Sequence, residues 1–407
     1  MKQNSHNSKF AGKRILVTGG TGFIGGRLVE RLVMDHGASV RVLVRNFSKA
    51  SRIGRLPVEM IPGDLLKQTE IKTAVKGCDY IFHCAVAGFE SSEEKQKHVN
   101  VDGTKHLMEA AQKDGVKRVV YVSTAMVYGF PPEGDLDEST PRRPDTDIYS
   151  LTKTEAENLV MEYARVHSVP AVVLQPTNVY GPYAMAWTLN PLWQLKNKRV
   201  ILVNGGDGLC NAVYVDDLVS AMLLSAIEKK AIGEAFLISG PSPVTWKEFY
   251  GKFEEILGYS STVEMSAARA LDYFAKKRSR KSLFKEAWAI LKEEHPVRWR
   301  IRDSREVDAI VKVGKAFLPG SVRSSLISRI RNLNGAAVSS ISNGSESLKT
   351  PVEKPVLPLG PASIQFYSSK VRIRINKAQE VLGYAPRFDL NAGMQRVAQW
   401  AKWAQLL

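Results

Sequence analysis

Tyr149 and Lys153 stand four residues apart in Tyr149-Ser150-Leu151-Thr152-Lys153, a spacing that puts two side chains on one face of a helix. An ammonium beside a phenol can lower the phenol's pKa, so that Tyr149 exchanges a proton with a substrate hydroxyl or carbonyl near neutral pH. Such pairs also occur on helices by chance. This one gains force from Ser123-Thr124, which ends the apolar run Arg118 to Val122. A hydroxyl there can hold the same substrate oxygen.

The run Lys13 to Thr18 leads into Thr18-Gly19-Gly20-Thr21-Gly22-Phe23-Ile24-Gly25. Glycine at 19, 22 and 25 permits a tight strand-to-helix turn and lets a pyrophosphate approach the backbone, while the helix N-terminus supplies N–H donors and a favourable dipole. A glycine-rich turn without a ligand is the bland alternative; the strand–turn–helix context favours a dinucleotide. Which nicotinamide cofactor binds is decided at the end of the second strand. An acid there holds the two ribose hydroxyls of NAD, and an arginine accommodates the 2′-phosphate of NADP. Here Arg45 is followed by Asn46, Ser48 and Lys49, with no acid nearby, so NADP(H) is expected over NAD(H).

The elements that must position these groups are legible as alternating patterns. Ser39 to Val44, Val58 to Ile61 and Asp79 to His83 read as strands. Helical stretches lie at Phe23 to Val33, Gln68 to Lys76, Glu93 to Asp114 and from Tyr149 to about His167. Strand–helix alternation means parallel strands buried on both faces, and right-handed crossovers make a doubly wound α/β fold the economical topology. Beyond Gly181 the pattern loosens. Trp187 to Lys196 looks helical, Asn211 to Ile227 a strand running into a helix, and Ala235 to Ile238 another strand. Thr245 with Glu248 forms a capping box for a helix to Leu257. Ser339 to Gly360 reads as a linker, with order resuming at Ile364.

The 407 residues carry a net charge of +16, concentrated between Arg269 and Arg331, where 17 Lys and Arg face seven Asp and Glu. A protein-wide nucleic-acid role is therefore disfavoured. Three cysteines in no C-x-x-C pair, and scattered histidines, give neither a disulfide framework nor a zinc site, so no metal is expected. A polar N-terminus and the lack of a long apolar stretch make cytoplasmic residence the expectation.

The chain resembles the extended short-chain dehydrogenase/reductases, the group of NAD-dependent epimerases and dehydratases, dihydroflavonol reductases and 3β-hydroxysteroid dehydrogenases. Its marks are TGGTGFIG (18–25), GDL (63–65), HCAVA (83–87), NVDGT (100–104), VSTAMVYG (122–129), YSLTK (149–153), PTNVYGP (176–182), VYVDDL (213–218) and KAQEVLGYAP (377–386). The resemblance implies a Rossmann domain over residues 1–182, to which 212–238 returns. Residues 183–407 then form a smaller C-terminal substrate-binding domain carrying a helical basic insertion at 267–360. It makes Thr124 the catalytic hydroxyl, Tyr149 the acid/base, and Lys153 the group that tunes Tyr149 and binds the nicotinamide ribose. It sets Gly19, Gly22, Phe23, Ile24 and Gly25 on the pyrophosphate, Asp64 and Leu65 at the adenine, and Ala85 and Ala87 along the cofactor. Pro176 falls near the nicotinamide, with Ser123, Thr124 and Asn178 toward the substrate.

Departures from the family pattern narrow the chemistry. Dehydratases typically carry Thr-Asp-Glu where this chain has Thr124-Ala125-Met126, so dehydration is disfavoured. Epimerases often have arginine at Gln175, and many nucleotide-sugar members have one near Cys210-Asn211. These absences weaken a diphosphate-sugar substrate without removing it, since Arg372 or Arg374 can serve instead. The expected activity is epimerase or reductase hydride transfer at a secondary alcohol or ketone, of a (nucleotide-)sugar first. The alternatives are an NADPH-dependent reductase or a 3β-hydroxysteroid-dehydrogenase-like enzyme on a non-sugar substrate, and an NADP-binding regulatory protein without turnover. The resemblance also implies a homodimer formed by the two helices near 93–114 and 149–167, through Val99, Leu107, Met108, Ala111, Ala156, Val160 and Tyr163. Aromatic residues interleaved with the cations of 269–331 suit peripheral contact with an anionic membrane, or merely a solvated helical cap.

Overall fold

Short β-branched runs build the frame, since each is apolar on both faces and must be covered by helices. In the computed structural model, residues 9–88, 91–280 and 354–407 are described. Strands β1 (Arg14–Thr18), β2 (Ser39–Val44), β3 (Glu59–Pro62), β4 (Tyr80–His83) and β5 (Arg118–Val122) come first. They are followed by β6 (Glu133–Leu136), β7 (Ala171–Pro176), β8 (Asn178–Tyr180) and β9 (Val200–Val203). Then come β10 (Ala212–Tyr214), β11 (Ala235–Ile238), β12 (Thr262–Met265) and β13 (Lys370–Ile373). The helices are α1 (Phe23–Met34), α2 (Gln68–Val75), α3 (Glu93–Lys97), α4 (Gly103–Asp114), α5 (Ile148–Arg165) and α6 (Asn190–Asn197). The later ones are α7 (Val215–Ile227), α8 (Trp246–Leu257), α9 (Ala267–Arg280), α10 (Pro361–Ser368), α11 (Asn376–Leu382) and α12 (Leu390–Trp403).

Seven strands form one sheet in the order β11-β7-β5-β4-β1-β2-β3. Every pairing is parallel, with Ile15 opposite Val40 and Tyr80, and Tyr121 opposite His83 and Val173. The order turns outward from β1 in both directions, the doubly wound arrangement the alternation implies. Period-two alternation sorts the strands' side chains into two layers. Ile15, Val17, Phe82, Val120 and Val122 face one, and Leu16, Ile81, Val119 and Tyr121 the other. Three two-stranded parallel pairs, β8–β10, β9–β12 and β6–β13, lie outside this sheet. The capping box at the head of α8 is formed, Thr245 and Glu248 each bonding the other's backbone.

The chain divides into two compact units, residues 1–272 with 354–407, and residues 273–353. Apart from Tyr273 to Arg280, the second unit lies outside the described residues, and with it nearly all of the basic segment 269–331. Residues 354–360, expected within a linker, are attached: Val356 bridges Arg199, and Lys354 donates to Leu195 O and Ser261 Oγ.

Two expectations need correction. The helix expected over 93–114 is interrupted by a π turn at His98–Asp102. There Asn100 turns inward to accept from Ala87 N at 2.9 Å and donate to Thr152 Oγ1 at 3.0 Å. More consequentially, Val99, Leu107, Met108, Ala111, Ala156 and Val160, expected at a subunit interface, are core, at most 5% exposed, and Tyr163 packs half-buried against them. A helix flanking a sheet spends its apolar stripe on the sheet. What α4 and α5 present outward is Lys105, Gln112, Lys113, Asp114, Glu155, Asn158, Glu162 and Arg165, with Leu151 the one large apolar side chain among them.

Candidate active site

β1 ends at Thr18, and the chain turns through Gly19 at φ +70°. A Cβ on Gly19 would lie 2.6 Å from Ala85 N, and one on Gly25 would lie 2.4 Å from Gly19 O. Both contacts are with backbone, so only glycine fits. Gly22 differs: a Cβ there would meet only Gly19 O, at 3.1 Å. Gly22 caps α1 without any side-chain cap, and the first turn of α1 carries no acid. The N–H groups of Phe23, Ile24 and Gly25 precede the first intrahelical acceptors. A tight turn, close backbone and unspent donors at a positive helix end make a cradle that fits a pyrophosphate.

The other residues expected along a cofactor are spread around the ends of the neighbouring strands. Ala85 follows β4, where its N–H points to Thr18 Oγ1 at 3.4 Å, and Ala87 is held by Asn100. Pro176 ends β7, buried beside Ile238. Arg45 is exposed directly after β2. Asp64 is engaged locally: Leu66 N donates to its carboxylate and its own N–H donates to Glu70, so it shapes the turn before α2. Leu65 is buried against Gly103, and its carbonyl accepts from His106.

Thr124, at the end of β5, and Tyr149 and Lys153, on α5, are brought together. Asp147 caps α5 by accepting from Ser150 N at 3.0 Å, so Tyr149 sits in the first turn. Thr124 accepts from Met126 N and is hydrogen-bonded to the Tyr149 phenol. Burial pushes that phenol up to about 12, against the opposing bond from Thr124. Lys153 is pushed down to about 7 by burial, which Glu157 and Cys84 oppose. Its Nζ donates to Tyr121 Oη at 2.6 Å and Val122 O at 2.7 Å, and lies 4.1 Å from the centre of the Tyr121 ring. The expected lowering of the Tyr149 phenol by Lys153 is therefore not what this structure displays. The ammonium is bonded to a different phenol, and burial dominates at Tyr149.

Two residues expected toward the substrate are committed elsewhere. Ser123 Oγ, nearly buried, donates to Glu157 Oε2 at 2.5 Å, because alternation along β5 turns it away from Thr124's side. Asn178 donates to Cys210 O at 2.5 Å, joining β8 to the chain before β10. Asn211 bonds Val371 O and Ile373 N. Ala125 and Met126 follow Thr124 in a single helical turn, without a carboxylate.

The sequence reading missed Tyr121, Glu157 and Arg142, and took Gln175 only as a departure from the family pattern. Glu157 is fully buried and receives Ser123 Oγ, Gln175 Nε2 at 2.8 Å and the Arg142 guanidinium at 2.6 Å. A signal existed for one of them: Glu157 follows Lys153 by four residues, on the buried face of α5. Arg142, from the loop before the helix, had none.

The NAD dependent epimerase/dehydratase family matches residues 15–239. A ketoreductase of Stigmatella aurantiaca, named for 4-hydroxy-2-methyl-3-oxo-4-farnesyl-3,4-dihydroquinoline-1-oxide, is 33% identical, over 63% of this chain and 78% of its own. The dTDP-D-glucose 4,6-dehydratase of Mus musculus is 32% identical, over 56% and 68%. Among solved structures, UDP-glucuronic acid 4-epimerase from Bacillus cereus, in complex with UDP-glucuronic acid and NAD, superposes with a TM-score of 0.64 at 20% identity. That match covers 97% of this chain and 100% of the other.

Proposed function

Since this chain belongs to the NAD-dependent epimerase/dehydratase family of the extended short-chain dehydrogenase/reductases, we propose that it transfers a hydride between a nicotinamide cofactor and a carbon that alternates between secondary alcohol and ketone. The observation that carries the reading is the convergence of Thr124, Tyr149 and Lys153 at the strand ends that also bear the glycine cradle. When bound, the nicotinamide supplies or receives the hydride.

The chain's own residues do the rest. Gly19, Gly22 and the first turn of α1 hold the pyrophosphate. Arg45, exposed after β2, would meet the adenosine ribose, where its charge and forked donors favour a 2′-phosphate, hence NADP(H). Thr124 and Tyr149 hold the substrate oxygen between them. A phenol held near 12 is protonated at neutral pH, so Tyr149 is poised to donate a proton as a carbonyl becomes an alcohol. Lys153 contributes positive charge one helical turn further along.

For the substrate, the commitments of Cys210, Asn178 and Asn211 matter. They bind strand to strand, and neither Cys210 nor Asn211 is itself a cation that could meet a diphosphate. Together with the ketoreductase likeness, this supports a ketone outside the nucleotide sugars. A nucleotide-sugar substrate is the second reading, favoured by Arg372. That side chain is exposed and, with Lys370, Arg374, Asp135, Gly134 and Leu209, lines a concavity of about 400 Å³. The lack of an acid at Ala125 and Met126 argues against elimination of water.

The test is a turnover screen. The purified chain is mixed with NADPH or NADH and a panel of cyclic ketones, hydroxysteroids and UDP- and dTDP-sugars, and loss of the reduced cofactor's absorbance is followed. Epimerisation of the sugars is read separately by chromatography. Ketone-dependent oxidation of NADPH is expected. Activity confined to nucleotide sugars would replace the first reading with the second, and no hydride exchange with any class would refute both.

A further inference from the structure

Directly behind Thr124 and Lys153 lies a buried polar knot that the reaction as described does not use. At its centre is Glu157, with no exposed surface. One carboxylate oxygen accepts from Ser123 Oγ at 2.5 Å. The other accepts from Gln175 Nε2 at 2.8 Å and pairs with Arg142 at 2.6 Å. The Gln175 carbonyl accepts in turn from Tyr128 Oη at 3.0 Å, so the amide is fixed from both ends. Both carboxylate oxygens are hydrogen-bonded, which is what burying a carboxylate requires.

The partners come from separate pieces of the site. Ser123 adjoins Thr124 just after β5, Gln175 precedes Pro176 on β7, and Glu157 stands two turns beyond Tyr149 on α5. Arg142 comes from the segment between β6 and α5, where it also donates to Asn158 Oδ1 at 2.9 Å. The same segment presses on Gly129, where a Cβ would meet Arg143 O at 2.4 Å, and ends in Asp147, the cap of the helix that carries Tyr149. Gln175 has no charge with which to neutralise Glu157, so the countercharge reaches it from this loop.

Around Lys153 the other titratable groups are neutral at neutral pH. Burial pushes the Cys84 thiol up to about 12, holds His83 down to about 3, and keeps the Tyr121 phenol well above its usual range. Tyr128 and Tyr149 are each pushed up to about 12 as well. Burial leaves the Glu157 carboxyl above its usual range, although Arg142, Ser123, Gln175 and Lys153 pull it back. Of the two groups that oppose the desolvation of Lys153, Glu157 acts more strongly than Cys84.

We propose that Glu157 is a positioning residue for this reaction: its buried carboxylate is a counter-ion that favours the ammonium form of Lys153, and it ties the strand end bearing Thr124 to the helix bearing Tyr149. The role rests on the reading of Tyr149 and Lys153 given above. Arg142 is the strap that holds the carboxylate charged from the loop side.

The test is a titration of Lys153 in the full chain, with lysine labelled by ¹³C at Cε and the resonance assigned by its loss in Lys153→Met. The wild-type midpoint is expected near 7, with about half of Lys153 protonated there. In Glu157→Gln the midpoint falls. The carboxamide can still accept from Gln175 and Arg142 and donate to Ser123, so the knot keeps its bonds and loses only its charge. Glu157→Asp keeps the charge and holds the midpoint closer to wild type. An unmoved midpoint in Glu157→Gln, or an equal fall in both variants, overturns the proposal. If Glu157→Gln does not fold, the wild-type Glu157 ¹³Cδ resonance decides: a carboxylate at pH 7 supports the role, and a protonated carboxyl refutes it. Failure here is separable from failure of the catalytic reading. An unmoved midpoint with an inactive Tyr149→Phe refutes Glu157 alone, and a moved midpoint with a fully active Tyr149→Phe refutes the catalysis alone.

Discussion

Replacing Gly25 with alanine is a one-methyl perturbation whose consequence can be worked from the coordinates. The new Cβ would lie 2.4 Å from Gly19 O, 2.8 Å from Gly19 C and 3.1 Å from Gly20 Cα. The first contact is roughly 1 Å short of van der Waals distance, and its partners are backbone, so the turn itself must move. Overpacking of this kind costs about 1–3 kcal/mol of stability. The same displacement misaims the first-turn N–H groups, and losing one charge-assisted bond to a phosphate costs roughly 1.5–3 kcal/mol, or about ten- to a hundred-fold in Kd. Gly22→Ala is the internal comparison. Its Cβ would meet only Gly19 O at 3.1 Å, so it should lose less stability than Gly25→Ala while still crowding the cradle. The assay is titration of NADPH by its fluorescence, paired with thermal unfolding of the same samples. A wild-type Kd in Gly25→Ala would refute the cradle, and a larger stability loss in Gly22→Ala than in Gly25→Ala would refute its geometry.

Other perturbations probe other links. Arg45→Asp should shrink or reverse a preference for NADPH over NADH by roughly ten- to a hundred-fold, and equal affinities for the two cofactors in the wild-type chain would remove that argument. Leu107→Asp should prevent folding, read as loss of the cooperative thermal transition. A folded, monomeric Leu107→Asp protein would return that residue to a subunit interface. Glu30 is raised by burial but lowered further by Arg52 and Arg27, for a net shift below its usual 4.5. Its contribution to stability is therefore present above that value and is lost as pH falls through the folded-state value. The stability gap between wild type and Glu30→Gln should be wide at neutral pH and close as pH falls below 4.5 and through the lower folded-state value in denaturant titrations; a gap independent of pH would refute the ion-pair account.

The parts of this architecture set by local pattern were open to reading from the sequence. Period-two runs such as Ile15-Leu16-Val17 and the glycines at 19, 22 and 25 each announce a backbone requirement within a few residues. The capping box at Thr245 and Glu248 is equally local. The short pairs β6–β13, β9–β12 and β8–β10 were not announced, because their partners lie 34 (Asn178 to Ala212) to 237 (Glu133 to Lys370) residues apart and each strand has only three or four residues. The apolar stripe of α4 illustrates a deeper ambiguity. Leu107, Met108 and Ala111 show the same spacing whether they cover a sheet or a second subunit, and only the position of the helix on the sheet decides. In the site, Tyr149 and Lys153 were legible because both lie on one helix. The bonds of Lys153 to Tyr121, and of Glu157 to Arg142 and Gln175, depend on strand order and loop path, which side-chain spacing does not encode.

The central claim is that Tyr149 moves the proton that accompanies hydride transfer, and Tyr149→Phe tests it most directly. The substitution removes one oxygen from a phenol hydrogen-bonded to Thr124 and leaves the glycine cradle untouched. Turnover should be measured with NADPH and the most active ketone of the panel, and cofactor Kd on the same preparation. The account requires a loss of roughly 10²–10⁴-fold in turnover with Kd for NADPH nearly unchanged. Wild-type turnover in Tyr149→Phe would contradict it, leaving the fold and the dinucleotide cradle without this catalytic residue.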